Sequence, residues 1–289
     1  MFDSSPEVGP QDGRATEQQA EPHGEQRLST YANDGLSIQG VTVRFGGLVA
    51  VSEVSIAAPL GQITGLIGPN GAGKTTTFNA CSGLTRPAAG RVVFGGRDVT
   101  TRSPAARARL GLGRTFQLME LFDSLTVADN VGLGRESALA GTRPLRHIVS
   151  TRREDKIIGE AAERAMELCG IAHLARRHPG DLSTGQRRLV ELARCVAGDF
   201  SLMLLDEPSS GLDPHETEQF GDVLCSLVAD GTTGILIVEH DMALVMKITD
   251  YLYVLDFGQL IFEGTPAEVG QSPKVRAAYL GSESSLLEA

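Results

Sequence analysis

Alternation of apolar and polar residues begins at Leu36 and predicts β-strands. It runs through residues 36–45 and again through residues 49–57, with the period of two that is typical of a half-buried strand. Residues 91–99 repeat the pattern around Gly95-Gly96, which predicts a hairpin with a tight turn. These segments predict an antiparallel β portion.

Continuous apolar runs predict a second kind of strand. Residues 62–67, 201–205 and 234–238 are short and apolar on both faces, which favours buried strands of a parallel sheet. Residues 251–255 and 259–262 predict a final hairpin. Parallel strands beside an antiparallel portion indicate an α/β protein with a mixed sheet.

Helical spacing replaces these patterns in the middle of the chain. Apolar residues recur every three or four positions from Arg152 to Cys169, which predicts an amphipathic helix. We expect this helix to belong to a mostly helical subdomain over about residues 117–185. Residues 141–153 are basic and poorly periodic, so no structure is assigned to them.

The first 35 residues differ from the rest in composition. Residues 1–34 contain seven acidic and two basic residues, a charge of −5 out of −10 for the chain. Few large apolar residues are present to bury, which predicts a disordered acidic tail over 1–35. We expect a single folded domain over 36–270 and a C-terminal extension over 271–289.

Charge and composition exclude several classes of function. An isoelectric point near 5.1 argues against nucleic acid as the main partner. No apolar run approaches the ~18 residues that span a bilayer, and no secretory signal is visible, so a cytoplasmic protein is expected. The four cysteines are scattered without a C-x-x-C pair, which indicates reduced thiols.

One short segment carries the clearest chemistry. Residues 68–76 fit the phosphate-binding P-loop pattern G-x-x-x-x-G-K-[ST] between a predicted strand and a predicted helix. The bare pattern also arises by chance, but this context makes chance a poor explanation. Lys74 is expected to reach the β- and γ-phosphates, and the Thr75 hydroxyl to bind Mg²⁺. The predicted nucleotide contacts are Gly68, Pro69, Asn70, Gly71, Ala72, Gly73, Lys74, Thr75 and Thr76.

Two carboxylates follow the buried strand at 201–205. Charged groups at such a position are costly unless they meet a cation, and Mg²⁺ beside the P-loop would supply one. Asp206 is then a metal ligand, and Glu207 is a general base for an attacking water. A solvated acidic turn explains the same residues, and by themselves they favour that explanation.

A helix start lies at residues 182–186. Ser183 and Gln186 have the spacing of a capping box, and an exposed helix N-terminus with Ser and Gly can bind phosphate. A well-capped helix explains the same residues except Gly185, which capping does not require.

The order of motifs resembles the nucleotide-binding domain of ABC ATPases. After the P-loop come RTFQ at 114–117, LSTGQ at 182–186, LMLLDEP at 202–208, SSGLD at 209–213 and VEH at 238–240. The resemblance covers about residues 36–265. It implies an α/β fold of the ABC ATPase type, in which a P-loop NTPase core with an antiparallel β portion carries a helical subdomain.

The resemblance also implies residue roles. Phe45 corresponds to the aromatic residue that stacks on adenine, although Tyr is commoner there. Gln117 is implied to sense Mg²⁺ and the lytic water, and His240 to contact the γ-phosphate. The implied contacts with the nucleotide bound by the opposite subunit are Ser183, Gly185, Gln186 and Asp213. Thr184 replaces the Gly of the general pattern, at a position that varies among members.

Three segments narrow the resemblance to the ATP-binding subunits of branched-chain amino acid importers. They are residues 44–51, residues 238–242 and residues 263–269 with 278–281. Urea and amide importers share this subfamily. The resemblance implies ATP and Mg²⁺ as cofactors. It also implies that the protein lies at the cytoplasmic face of the cell membrane. The implied partners are membrane-spanning permease subunits, a second ATP-binding subunit and, indirectly, an extracytoplasmic solute-binding protein.

Two other classes of function compete with an importer motor. A soluble ABC ATPase of a cytosolic assembly would share the motifs, although ribosome-acting members normally contain two such domains. A regulatory module that holds ATP without hydrolysis would share the P-loop. The presence of Glu207 and His240 argues against the regulatory module.

Overall fold

The strands of the computed structural model follow the predicted pattern closely. The structure describes residues 34–115, 121–140 and 152–280. Within these ranges the strands are β1 (Gly35–Phe45), β2 (Leu48–Pro59), β3 (Ile63–Ile67), β4 (Ala89–Phe94), β5 (Arg97–Asp98), β6 (Leu112–Arg114), β7 (Leu202–Asp206), β8 (Gly234–Val238), β9 (Tyr251–Asp256) and β10 (Gln259–Gly264).

Helices separate most of the later strands. In the same ranges they are α1 (Lys74–Ser82), α2 (Pro104–Ala108), α3 (Val127–Ala140), α4 (Arg152–Leu168), α5 (Thr184–Ala197), α6 (Pro214–Val228), α7 (Met242–Ile248), α8 (Pro266–Gln271) and α9 (Pro273–Leu280). None of these helices combines the length and apolar character that crossing a bilayer requires.

The predicted antiparallel portion is a four-stranded sheet in the order β2-β1-β4-β5. Strand β1 pairs with both β2 and β4, and the Gly95-Gly96 turn joins β4 to β5. Inward-facing side chains such as Ile38, Val54 and Val92 are fully buried and join one core cluster. This confirms the hairpin and the two alternating strands predicted from sequence.

The second sheet is mixed and has six strands. Its order is β10-β9-β3-β8-β7-β6, with parallel pairing from β9 to β6 and an antiparallel β10 at the edge. Every residue of β3, β7 and β8 is buried, as expected for strands covered on both faces. The carboxyl ends of these three strands meet at one edge, which brings the segments after Ile67, Asp206 and Val238 together.

Helices α3, α4 and α5 form a packed group outside the sheets. Val131, Ala165 and Val190 are buried among them and belong to a second core cluster. Helix α4 confirms the helix predicted from Arg152. The division of the chain into a tail, a domain with a subdomain over 117–185 and an extension stays a prediction. Residues 1–33 of the predicted tail and Gln117 lie outside the described residues.

The C-terminal part contains a packed helix. Helix α8 ends at Gln271, and α9 follows after one residue. Val269 and Val275 are buried in a third core cluster with Val245 and Val254. The predicted extension over 271–289 therefore begins with a helix that contributes to the core, and its residues 281–289 lie outside the described ranges.

Candidate nucleotide-binding site

The P-loop connects strand β3 to helix α1, as its sequence predicts. Gly68 and Gly73 have φ angles of +148° and +97°. A residue with a side chain would be strained at these angles. A Cβ at Gly68 would also overlap the carbonyl oxygen of Leu255. Glycine is thus needed here both for the turn and for close packing on β9.

The side chain of Lys74 folds back against the start of the P-loop. Its Nζ donates hydrogen bonds to the carbonyl oxygens of Gly68 at 2.7 Å and Pro69 at 3.0 Å. Burial lowers the pKa of Lys74, whereas the carboxylates of Glu207 and Asp206 act in the opposite direction. A buried ammonium that is held by only two carbonyl groups can form a stronger bond with an anionic phosphate oxygen.

A cleft of about 360 Å³ opens beside the loop. Backbone and side chains of the P-loop form one wall, and β2 and the ends of β7, β8 and β9 form the others. Its lining residues are Leu48, Val49, Ala50, Asn70, Gly71, Ala72, Gly73, Lys74, Thr75, Thr76, Glu207, His240 and Phe257. The structure thus brings together P-loop residues 70–76, Glu207 and His240, whereas Gly68, Pro69 and Asp206 are not among the lining residues.

The aromatic residue in this cleft is Phe257, which sequence reasoning missed. It lies in the β9–β10 turn with φ +42° and is 90% exposed. Gly258 fixes the turn, because its N–H donates to Ala72 and its carbonyl accepts from Ser52. Phe45, the last residue of β1, is 54% exposed and is not among the residues that line the cleft. A large apolar residue between two predicted strands was the available signal for Phe257.

Asp206 ends strand β7 as a buried carboxylate. Burial raises its pKa, the Arg114 guanidinium lowers it, and the Glu207 carboxylate raises it further. Its Oδ2 accepts a hydrogen bond from Arg114 Nη2 at 3.2 Å. Its Oδ1 is buried and has no hydrogen-bond partner among the described residues. An unsatisfied buried carboxylate oxygen fits a cation ligand.

Glu207 and His240 meet at the mouth of the cleft. Glu207 has φ +48°, and its backbone N–H donates to the carbonyl of Val238 at 2.8 Å. Its Oε1 lies 2.7 Å from His240 Nε2. A carboxylate and an imidazole in direct contact, both partly exposed, are placed to orient and deprotonate a water molecule.

Glu239 supports this pair from below, a role that the sequence did not reveal. Its carboxylate accepts from the backbone N–H groups of Ser209 at 2.7 Å and His240 at 3.1 Å. Burial raises its pKa, and the bonds from Ser209, His240 and Asp241 oppose that shift. Glu239 thereby ties the segment after Glu207 to the segment that carries His240.

The predicted site residues of the LSTGQ and SSGLD segments lie outside the cleft. Ser183 and Gln186 form the predicted capping box at the start of α5, and Asp213 caps α6 through Glu216. None of the three lines the cleft.

Gly185 has a steric explanation that capping did not supply. A Cβ on Gly185 would overlap the Glu216 carboxylate, which also accepts a hydrogen bond from Ser183 Oγ at 3.2 Å. The starts of α5 and α6 are therefore joined through Glu216.

The fold and the site define a P-loop nucleotide-binding ATPase cassette. The ABC transporter family model matches residues 51–210. A model described as branched-chain amino acid ATP-binding cassette transporter matches residues 259–284. The chain belongs to the ABC transporter ATP-binding family.

Curated relatives agree with this assignment. The high-affinity branched-chain amino acid transport ATP-binding protein LivG of Salmonella typhimurium is 38% identical over 249 residues, 85% of this chain and 97% of that protein. BraF of Pseudomonas aeruginosa, which has the same description, is 36% identical with the same coverage. A probable LivG of Archaeoglobus fulgidus is 38% identical over 88% of this chain and 98% of that protein.

Solved structures share the fold. The ADP conformation of MJ1267, an ATP-binding cassette of an ABC transporter, superposes with a TM-score of 0.74 at 32% identity. The match covers 86% of this chain and 99% of that chain. A nucleotide-free ATP-binding cassette from an ABC transporter gives the same TM-score and identity, with coverage of 85% and 98%.

Proposed function

We propose that this chain is the ATP-hydrolysing motor subunit of an importer for branched-chain amino acids or related small polar solutes, acting at the cytoplasmic face of the membrane. The contact between Glu207 and His240 beside the P-loop supports hydrolysis. The lineage rests on the match over residues 259–284 and on relatives that transport branched-chain amino acids.

Residues of the chain account for the chemical step. P-loop amides and Lys74 bind the β- and γ-phosphates, which leaves the γ-phosphate facing Glu207 and His240. Glu207 accepts a proton from the attacking water, and His240 orients the water and the γ-phosphate. Glu239 holds the two segments in register through its bonds to Ser209 and His240.

Magnesium is the proposed cofactor. The described residues contain no cluster of three acidic, His or Cys side chains able to hold a metal, so a cation would need oxygen ligands from the nucleotide as well. Thr75, Asp206 and Gln117 are the proposed protein ligands. Mg²⁺, when bound, would neutralise charge on the β- and γ-phosphates.

Two chains are proposed to complete each ATP site. Ser183, Gly185, Gln186 and Asp213 do not line the cleft of their own chain, and one P-loop and one LSTGQ segment are present. We infer that these residues contact ATP bound by a second ATP-binding subunit. ATP binding would shift the pair towards a closed dimer, and hydrolysis would release it.

An apolar groove supports a permease partner. It has a volume of about 570 Å³ and lies between α2, α3 and α5, with Leu84, Ala105, Phe122 and Leu133 in its wall. Leu84 and Phe122 are more than half exposed. Of the apolar segment 118–122, Phe122 lines the groove and Leu121 packs on the core, whereas residues 118–120 lie outside the described ranges. We propose that a short cytoplasmic helix of a permease docks here.

Purification from native membranes tests the proposal. A tagged chain extracted in mild detergent should recover two multi-span proteins and a second P-loop chain, identified by mass spectrometry. Leu84→Asp, in the groove, should lose the multi-span proteins. Leu168→Asp is the matched control, because Leu168 is 53% exposed against 54% for Leu84 and lies outside the groove. Recovery of soluble partners alone would favour a cytosolic ATPase.

The solute is tested separately. The recovered complex, reconstituted in vesicles with its solute-binding protein, should take up labelled leucine on addition of ATP. Uptake of urea or short amides without leucine would assign the chain to the neighbouring branch of the subfamily.

A further inference from the structure

Arg114 occupies the junction between the P-loop helix and strand β7. One arm of its guanidinium donates to Asp206 Oδ2 at 3.2 Å. The other donates to Asn79 Oδ1 at 2.8 Å and to Ser82 Oγ at 2.6 Å, both on helix α1. The guanidinium carbon also lies 5.0 Å from the centre of the Phe78 ring, a cation–π contact.

These contacts link the two elements that carry the proposed metal ligands. Thr75 lies in the first turn of α1, and Asn79 and Ser82 follow it at helical spacings of four and seven residues, on the same face. Asp206 ends β7, and Arg114 ends its parallel neighbour β6. Because a guanidinium is a rigid planar fork, its two arms set the position of the carboxylate relative to that helix face.

The same contacts leave one carboxylate oxygen available. Arg114 engages Oδ2, whereas Oδ1 is buried and has no partner among the described residues. The side chains of Arg114 and Asp206 are 11% and 2% exposed, so solvent screens this ion pair little. Such an arrangement holds Asp206 in one orientation without consuming both of its oxygens.

We propose that Arg114 is the positioning residue that aims Asp206 at the metal site. This inference rests on the proposed magnesium site. It does not give Arg114 a contact with the nucleotide or the reacting atoms. Partners that orient metal ligands raise metal affinity by about 10- to 100-fold in other proteins, and a similar contribution is expected here.

The test measures nucleotide binding with and without Mg²⁺ rather than turnover. A fluorescent ATP analogue is titrated into the full chain in EDTA, and in a separate series Mg²⁺ is titrated into the metal-free complex after EDTA has been removed. Arg114→Met removes both arms and keeps the aliphatic stem. It should raise the Mg²⁺ concentration for half-saturation about 10- to 100-fold and leave affinity in EDTA unchanged.

Two further variants separate positioning from general stability. Ser82→Ala removes one helix contact and keeps the Arg114–Asp206 pair, so its Mg²⁺ dependence should match that of the parent. Arg114→Lys keeps the charge without the fork and should fall between the parent and Arg114→Met. Mn²⁺ bound with ADP can be observed by electron paramagnetic resonance. Its spectral lines should be broader in Arg114→Met than in the parent, and the Ser82→Ala spectrum should match that of the parent.

Distinct results would overturn the two proposals. Equal loss of affinity in EDTA and in Mg²⁺, or no loss in either, would reduce Arg114 to a structural ion pair. If Arg114→Met does not fold, the same comparison is decided by Arg114→Lys. Absence of any Mg²⁺ effect in the parent chain would instead remove the proposed magnesium site.

Discussion

At the residue scale, Glu207 has a positive φ angle that determines where its carboxylate lies. A non-glycine residue with φ +48° is uncommon, and here the turn places the carboxylate against His240 directly after a buried strand. Glu239 then fixes the opposite side of the contact through backbone bonds. Because Glu207 is the proposed general base, its removal should affect hydrolysis more than binding.

Glu207→Gln should reduce ATP turnover by about 10²- to 10⁴-fold, the usual contribution of a general base. ATP affinity should remain, because Lys74 and the P-loop are unchanged, and the ATP-bound variant should elute as a stable dimer. Light scattering after size exclusion measures the dimer. Glu218→Gln, an exposed carboxylate paired with Lys247, is the control that retains turnover. Parent-like hydrolysis in Glu207→Gln would assign the base to another residue.

The two exposed aromatic residues near the cleft lead to a second prediction. Phe45 was assigned to adenine by resemblance, whereas Phe257 lines the cleft. Phe257→Ala should weaken ATP binding by about 1–3 kcal/mol, the range for base stacking on an aromatic side chain, and Phe45→Ala should weaken it less. Competition by inorganic tripolyphosphate, which has no base, should be equal in both variants. The reverse order would restore the adenine contact to Phe45.

At the scale of elements, the starts of α5 and α6 form one unit. Ser183 and Asp213 cap their own helices, and Glu216 contacts both caps. A side chain at position 185 would meet the Glu216 carboxylate, which would have to turn aside. The Glu216 carboxylate thereby links the two segments proposed to face a second subunit.

Gly185→Ala should lower the melting temperature, because the new methyl group displaces Glu216 and breaks the capping box of α6. The Asp213 side chain still caps α6, so the loss should be smaller than the ~1 kcal/mol typical of a removed N-cap. Combining Gly185→Ala with Glu216→Ala should remove the overlap, so the double variant should melt no lower than Glu216→Ala alone. Calorimetry on the parent and the three variants measures this non-additivity. Strictly additive effects would show that the two helix starts are independent.

At the scale of the whole molecule, burial controls thiol chemistry. Cys81, Cys169 and Cys195 are buried, and burial raises the pKa of each to about 12. Cys225 is exposed on α6, with its pKa raised chiefly by partial burial. Because thiolate is the reactive form, only the exposed thiol combines access with a usable thiolate fraction.

The native chain should therefore release one equivalent of thionitrobenzoate from Ellman's reagent at pH 8, and four in denaturant. Cys225→Ser should abolish the native reaction and leave three thiols in denaturant. A second fast thiol in the native chain would show that one of the two core clusters that contain the buried cysteines opens readily.

Local signals were enough to predict much of this protein. The period of two in β1, the apolar runs of β7 and β8, the P-loop between strand and helix, and the Ser183 capping box all depend on neighbours within a few residues. The order of motifs then indicated the ABC family. These features were readable because backbone hydrogen bonding and burial impose short periods on the sequence.

Only the tertiary structure decided the contacts between distant segments. Arg114 and Asp206 are 92 residues apart, and no local pattern pairs them. The packing of Glu216 on Gly185, the placement of Phe257 in the cleft and the bonds of Glu239 to Ser209 likewise depend on how helices and strands pack. Sequence determined the elements and the residues that perform chemistry, whereas packing determined which side chains hold them in position, because long-range neighbours are set by the strand order and not by spacing along the chain.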